Sequence, residues 1–419
     1  MFIVWFSCIF LWIFLPFQLV GREISYYGVS IFILFLSSFF IGCIATKKNK
    51  SLVNYTSVQI KKSLQIISFF SFISLLCLLI DFDLSNLDLI FIASEREDIS
   101  ISLLTGEKSN SSLAFKIAFL TYPSAYIYIA LTTIYSKKIN YIYLFMLGYL
   151  PIILSTVVMG GRNPLLYAIL ISFFSIKIRS NFSNELNVYK SSPKVITYKR
   201  SLIKFISLAF IIITSVYFIN VFLSRAEILG GTSFMFDHAE SNWGISFDGR
   251  SSEFLINLLG FQNFFLLFII SWYIVQGLIM SLTIFENFTG SMQLGSFGIE
   301  IITAFLRRYD SYSIFTNYDI LNEYNVVGFY PSVFGSLFVD LKFLGIAVIL
   351  FWGRWCTNVY NNIKNIKLNS MLLYPFMSTG VLLSFINTPF GVANGFITYF
   401  WLFIAFYLIK TLKTNKYVN

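Results

Sequence analysis

The residues of this sequence best suited to do chemistry are seven arginines: Arg22, Arg96, Arg162, Arg225, Arg250, Arg307 and Arg308. A guanidinium is a rigid fork of donors that grips phosphate or carboxylate through two parallel hydrogen bonds, which lysine cannot do. Arg162 lies in Met159-Gly160-Gly161-Arg162-Asn163-Pro164, a tight turn between two apolar runs. The glycines there allow close backbone approach, and Pro164 suits the first turn of a following helix. Arg307 and Arg308 stand side by side, and adjacent helical positions point about 100° apart, so one of the pair reaches a site and the other faces water. Two plainer readings stand beside these: external arginines that pair with external acids, and an Arg162 that snorkels to the membrane edge.

Other candidates cluster nearby in sequence. His238 sits between Asp237 and Glu240, and either an imidazole or a carboxylate is able to take a proton from a hydroxyl. A loop histidine in an acidic neighbourhood is the plain alternative. Tyr309, Tyr312, Tyr318, Tyr324 and Tyr330 lie among polar residues, and Tyr273 interrupts an apolar run. A tyrosine offers a flat face and a hydroxyl, which suits stacking on sugars, although aromatic residues are also ordinary at membrane interfaces. Asp81 and Asp83 have the spacing of a metal-binding carboxylate pair. Two carboxylates alone are too common to carry a site, and no metal or other cofactor is expected.

The elements that must position these residues follow from composition. Of 419 residues, 57% are hydrophobic and only 12% charged. Soluble domains carry about 25% charged residues, so an ordinary soluble enzyme is excluded. The four cysteines show no Cys-x-x-Cys spacing, which leaves no disulfide framework or structural zinc. The single histidine excludes histidine-rich metal chemistry. The first twenty residues carry no charge and no small-residue cleavage site, and read as a retained helix.

Apolar runs of spanning length lie near 2–20, 28–45, 63–80, 114–135, 140–159, 164–178, 203–223, 336–353, 371–386 and 394–410. At about 20 residues per span, the expected fold is an all-α polytopic membrane protein of about 10 transmembrane helices, 12 at most. It divides into an N-terminal bundle (1–223, with an external loop at 81–113), a large external region (224–335) and a C-terminal bundle (336–419). A further apolar run at 262–284 is interrupted by Tyr273, Gln276 and Gly277. A lone crossing there would invert everything after it, so the run lies along the interface, dips in and returns, or pairs with another short crossing; an amphipathic or re-entrant segment within the external region is expected.

Charge sets the orientation. Of the 30 basic residues, 20 fall in alternate loops, which marks that side, and both termini, as cytoplasmic. Of the 20 acidic residues, only Glu185 falls in those loops. The seven arginines named above are on the opposite side, where the insertion bias disfavours them. The +10 net charge thus reflects membrane insertion, and no nucleic-acid partner is expected. The apolar runs hold almost no ionisable groups, which argues against a transporter coupled to ions through such groups.

Three stretches carry a resemblance to a known family. Gly160-Gly161-Arg162 opens a helix; Arg225 precedes Gly230-Gly231, Tyr273 to Gly277 and Gly295 to Arg307; and Pro331 to Asp340 leads into an apolar helix at Gly345. Together they resemble the Wzy-type polymerases of bacterial surface polysaccharide, the O-antigen or capsule repeat-unit polymerases. The resemblance implies a metal-independent glycosyltransferase of the inner, cytoplasmic membrane whose active site faces the periplasm. It would join repeat units carried on undecaprenyl diphosphate. Arg162, Arg225 and Arg307, with Arg308 and Arg250, would bind diphosphate, and Asp237, His238 or Glu240 would orient or deprotonate the attacking hydroxyl. Tyr309, Tyr330 and Tyr273 would bind sugar. It also admits a chain-length regulator protein as a partner. Two rivals share features of the pattern: an O-antigen ligase, and a flippase for lipid-linked oligosaccharides.

Overall fold

A bilayer core offers no water to backbone N–H and C=O groups, so apolar sequence must satisfy them internally, and helices do so locally. The computed structural model describes residues 1–45, 57–81, 112–158, 163–182, 219–299, 302 and 330–411, except positions 16, 20–24, 137–138, 221, 224–225, 228–229, 248–249 and 365–366. Helices α1 (Phe2–Ile13), α2 (Tyr26–Ile44), α3 (Ser57–Asp81), α4 (Leu113–Thr121) and α5 (Ser124–Tyr135) come first. They are followed by α6 (Tyr141–Val158) and α7 (Asn163–Asn181). The region after residue 223 contains α8 (Thr232–Trp243), α9 (Arg250–Leu259) and α10 (Phe261–Asn287). The chain then forms α11 (Ser332–Leu341), α12 (Leu344–Lys364), α13 (Leu368–Leu382) and α14 (Gly395–Thr411). A two-residue antiparallel pair joins β1 (Gln18–Leu19) to β2 (Ile245–Ser246).

Among the described residues, six helical stretches are long and apolar enough to cross a membrane: Tyr26–Ile44, Ile60–Asp81, Leu113–Tyr135, Tyr141–Val158, Phe261–Asn287 and Val392–Lys410. The protein is therefore a helical membrane protein. Most of the expected run at 203–223 lies outside the described residues. The expected span at 336–353 is not one helix: it breaks at Lys342, whose φ is +49°. The Lys342 ammonium donates to the Phe288 carbonyl at 2.8 Å and lies 3.6 Å from the centre of the Phe288 ring, which holds the turn. The 262–284 run also differs from expectation. It forms one unbroken 27-residue helix, buried along most of its length, rather than an amphipathic or re-entrant segment.

Proline positions explain two irregularities. Pro123 has no N–H to offer the Phe119 carbonyl, so α4 and α5 are separated by a kink. The Asn394 side chain donates to Phe119 at 3.1 Å, and the Trp401 indole donates to the neighbouring Leu120 carbonyl at 2.8 Å. In α6, Pro151 likewise leaves the Leu147 carbonyl without its helical donor, one turn of the helix widens over Phe145–Tyr149, and the Ser71 hydroxyl donates to Leu147.

Packing between helices depends on small residues, as it must where lipid is as apolar as the side chains. Helix α2 lies along α12: a Cβ on Gly353 would sit 2.1 Å from the Phe39 carbonyl oxygen, and one on Gly42 would sit 2.0 Å from that of Leu350. Helix α10 joins two apolar clusters. Its first half packs Phe264, Phe265 and Phe268 around Phe17 and Phe236. Its second half adds Leu278, Met280 and Phe285 to the main core with Phe35 and Phe334.

Overpacking at so close a crossing costs about 1–3 kcal/mol. Gly353→Ala should therefore lower the thermal unfolding midpoint of the purified protein in detergent. An unchanged midpoint would mean that the α2–α12 crossing is not close.

Candidate functional site

Backbone strain points to one region. Among the described residues, five that are not glycine have positive φ: Leu294, Ser332, Lys342, Ala393 and Asn394. Such conformations cost of order 1–3 kcal/mol each and persist only where the surroundings impose them. All five lie where α11 meets the 288–299 segment and the non-helical connection between α13 and α14. That connection is not a surface loop: Leu383, Ser384, Ile386, Thr388, Pro389 and Val392 are buried.

Hydrogen bonds knit the three segments. The Ser332 N–H donates to the Ile386 carbonyl at 3.1 Å, and the Val333 N–H to that of Ser384 at 2.8 Å. The Ser336 hydroxyl donates to the Asn387 side-chain oxygen at 2.8 Å. Asp340, only 3% exposed, holds the 288–299 segment. One carboxylate oxygen accepts from the Gly295 and Phe297 N–H groups, both at 3.0 Å, and the other accepts from Gly298 at 2.9 Å. Gly298 has no room for a side chain: a Cβ there would sit 2.8 Å from that second oxygen. With three backbone N–H groups on one carboxylate, Asp340 fixes the position of this loop.

Tyr273 and Tyr330, 57 positions apart, meet beside this junction. The Tyr273 hydroxyl donates to that of Tyr330 at 2.6 Å, and the ring centres are 5.0 Å apart. Phe222 packs edge-on against Tyr273 at 5.9 Å. The pair is level with the middle of α10, next to buried Gln276 and Gly277. Gly277 does not interrupt the helix. It lets backbone approach, since a Cβ there would sit 1.9 Å from the Phe385 carbonyl oxygen. One turn on, the Ser281 hydroxyl lies 2.6 Å from that of Ser332 and donates to the Pro331 carbonyl at 2.9 Å. The residues leading into α11, Tyr330 to Ser332, and the non-helical stretch 384–387 thus rest on the midpoint of one apolar helix.

Asp237, His238 and Glu240 are carried by α8. Its buried face bears Phe236 and Ala239, which leaves Asp237 and Glu240 exposed and His238 half-buried. Glu240 accepts from the Phe247 N–H at 3.3 Å, and the His238 ring stacks on Phe234 with centres 6.3 Å apart. Phe236 packs on Phe264, Phe265 and Phe268, so α8 sits against the first half of α10, before the tyrosine pair. Arg162, Arg225, Arg307, Arg308 and Tyr309 lie outside the described residues. Arg250 opens α9, but its side chain is outside them too. Of the two closely spaced carboxylates, Asp81 accepts from the Ser112 hydroxyl and Asp83 lies outside the described residues.

The junction residues Asp340, Ser336, Asn387 and Gly298 were not among the expected site residues. Asp340 was open to discovery, as the one acid within the apolar 331–353 stretch, where an ionisable residue marks a site by default. No family model matches the chain, and neither a curated protein nor a solved structure matches it.

Asp340→Ala would leave three N–H groups without acceptors, and each unsatisfied buried group costs about 1–3 kcal/mol. The variant should unfold at lower temperature, and limited proteolysis should cut it within 290–299, where the parent chain resists. Equal stability and an equal cleavage pattern would show that the carboxylate does not hold the loop.

Proposed function

We propose that this protein is a polymerase of bacterial surface polysaccharide, O-antigen or capsule, acting at the outer face of the inner membrane. In this reading about ten to twelve helices cross the bilayer, both termini are cytoplasmic, α10 enters the bilayer and is paired by a second, short crossing, and the α8–α9 segment before it lies on the periplasmic side. The observation that carries the proposal is the division of basic residues. Of ten arginines, seven lie on the acid-rich side that positive charge ordinarily avoids, while 17 of 20 lysines lie on the other. Diphosphate bound to a lipid carrier is an anion that guanidinium forks fit without a metal.

The chemistry is a single displacement. A sugar hydroxyl of the incoming unit forms a bond to the anomeric carbon of the growing chain as the bond from that carbon to the undecaprenyl diphosphate oxygen breaks. The departing oxygen takes the electron pair, and preorganised Arg162, Arg225 and Arg307, with Arg308 and Arg250, stabilise that charge. The hydroxyl proton passes to one of Asp237, His238 and Glu240. Tyr273 and Tyr330 support the sugar role assigned to them, because they present two hydroxyls and two ring faces together. A chain-length regulator protein is a further proposed partner.

One observation favours a second reading, a flippase. Non-helical backbone packed on the middle of an apolar helix is how many transporters build a path through the membrane. An O-antigen ligase, the third reading, shares the proposed chemistry and differs in its acceptor.

Variants expressed in a strain lacking the native gene test the proposal. Arg162→Lys keeps the charge and loses the fork, so polymer should vanish while the protein remains inserted; full polymer would remove Arg162 from the site. Tyr273→Phe removes one hydrogen bond, about 1 kcal/mol, and should lower polymer yield several-fold. An unchanged ladder would remove the pair from sugar binding.

A further inference from the structure

Helix α9 has three distinct sides. At about 100° per residue, its positions fall into three sectors. Ser252, Leu255 and Ile256 form one, with Ser252 buried and the two apolar residues packed on the α10 cluster. Glu253 and Asn257, four positions apart, form a second, and both are exposed. Phe254 and Leu258, also four apart, form the third and are 64% and 65% exposed. A helix immersed in water needs no open apolar sector, and one immersed in acyl chains does not place Glu253 and Asn257 together on its surface.

The open sector continues beyond the helix. The chain bends at Gly260, whose φ of +78° suits glycine, and α10 begins with exposed Phe261. Leu267 and Ile270 then follow on the exposed side of α10, itself long and apolar enough to cross the membrane. Exposed apolar side chains thus lie on α9 and again on α10, and between them stand exposed Gln262 and Asn263, the latter donating its amide back to the Leu259 carbonyl at 2.9 Å.

We infer that α9 lies in the plane of the membrane interface, with Phe254 and Leu258 in the acyl chains of the bilayer, Glu253 and Asn257 at the headgroups, and Leu255 and Ile256 against the protein. Interfacial helices bury such a face about 5–10 Å below the headgroup boundary. Phe236 of α8 packs on Phe261 at 4.7 Å between ring centres. Asp237 and Glu240, exposed on the same helix one and four positions after Phe236, are therefore held close to the membrane surface, where the headgroup of any lipid-borne molecule lies. The placement of α9 is independent of the polymerase reading, and its test measures no activity.

The test uses the unsubstituted full-length chain in vesicles of phosphatidylethanolamine and phosphatidylglycerol that include a phospholipid with a diazirine in its acyl chain. After photolysis, peptide mapping locates the inserted lipid. Insertion is expected at Phe254 and Leu258, as at Leu267 and Ile270, with at least a tenfold lower yield at Glu253 and Asn257. Labelling of Leu267 and Ile270 without Phe254 and Leu258 overturns the inference, because water, another segment or a second copy then covers α9. Equal labelling of all four α9 positions overturns it by removing the polar side from the headgroups. Absence of labelling at Leu267 and Ile270 also overturns it, because the continuity with the lipid-facing surface is lost.

Discussion

Backbone carbonyls and amides inside an apolar bundle must find partners there, and the centre of this protein is organised around the start of α11, whose free N–H groups meet the carbonyls of a non-helical stretch between α13 and α14. The Ser332 and Val333 N–H groups donate to the Ile386 and Ser384 carbonyls. Both segments rest on α10 where Gly277 removes the obstacle of a side chain. Placing a larger residue there would separate the segments from the helix that supports them. The strained Ser332, the tyrosine pair and the Ser281–Ser332 contact all sit at this crossing.

Around that crossing, each irregularity is met by a specific donor or acceptor. The carbonyl released by Pro123 is taken by Asn394, a residue in the left-handed conformation within the α13–α14 connection. The kink between α4 and α5 and the turn before α14 therefore depend on each other. Asp340 does the same for the 294–298 loop, with three N–H groups on one carboxylate. The result is a hydrogen-bonded polar junction inside an apolar protein.

Helices were legible in the sequence because apolar runs of spanning length have few alternatives in a membrane. Runs such as 28–45 and 63–80 match α2 and α3 to within a few residues, except that α3 begins earlier, at Ser57. Breaks were harder to read. Lys342 divides an apolar stretch because Phe288, 54 positions earlier, supplies the carbonyl and ring that hold its ammonium. Gly277 resembles a helix breaker in sequence, but it is a contact point whose partner, Phe385, is remote. Tyr273 and Tyr330 stand out in the sequence as tyrosines beside apolar runs, yet their hydrogen bond could not be read from two positions 57 apart. The arginines drew notice through their distribution between the two sides, a signal that needs no geometry.

The central claim is that this protein lengthens a glycan on a lipid diphosphate. The direct measurement is made with the purified chain in proteoliposomes supplied with undecaprenyl-diphosphate-linked repeat units from the native bacterium, with no added metal. Lipid-linked glycans of two, three and more units are expected, with one undecaprenyl diphosphate released for each bond formed. Repeat units that cross the bilayer without lengthening and without release of the carrier would contradict it and identify a flippase.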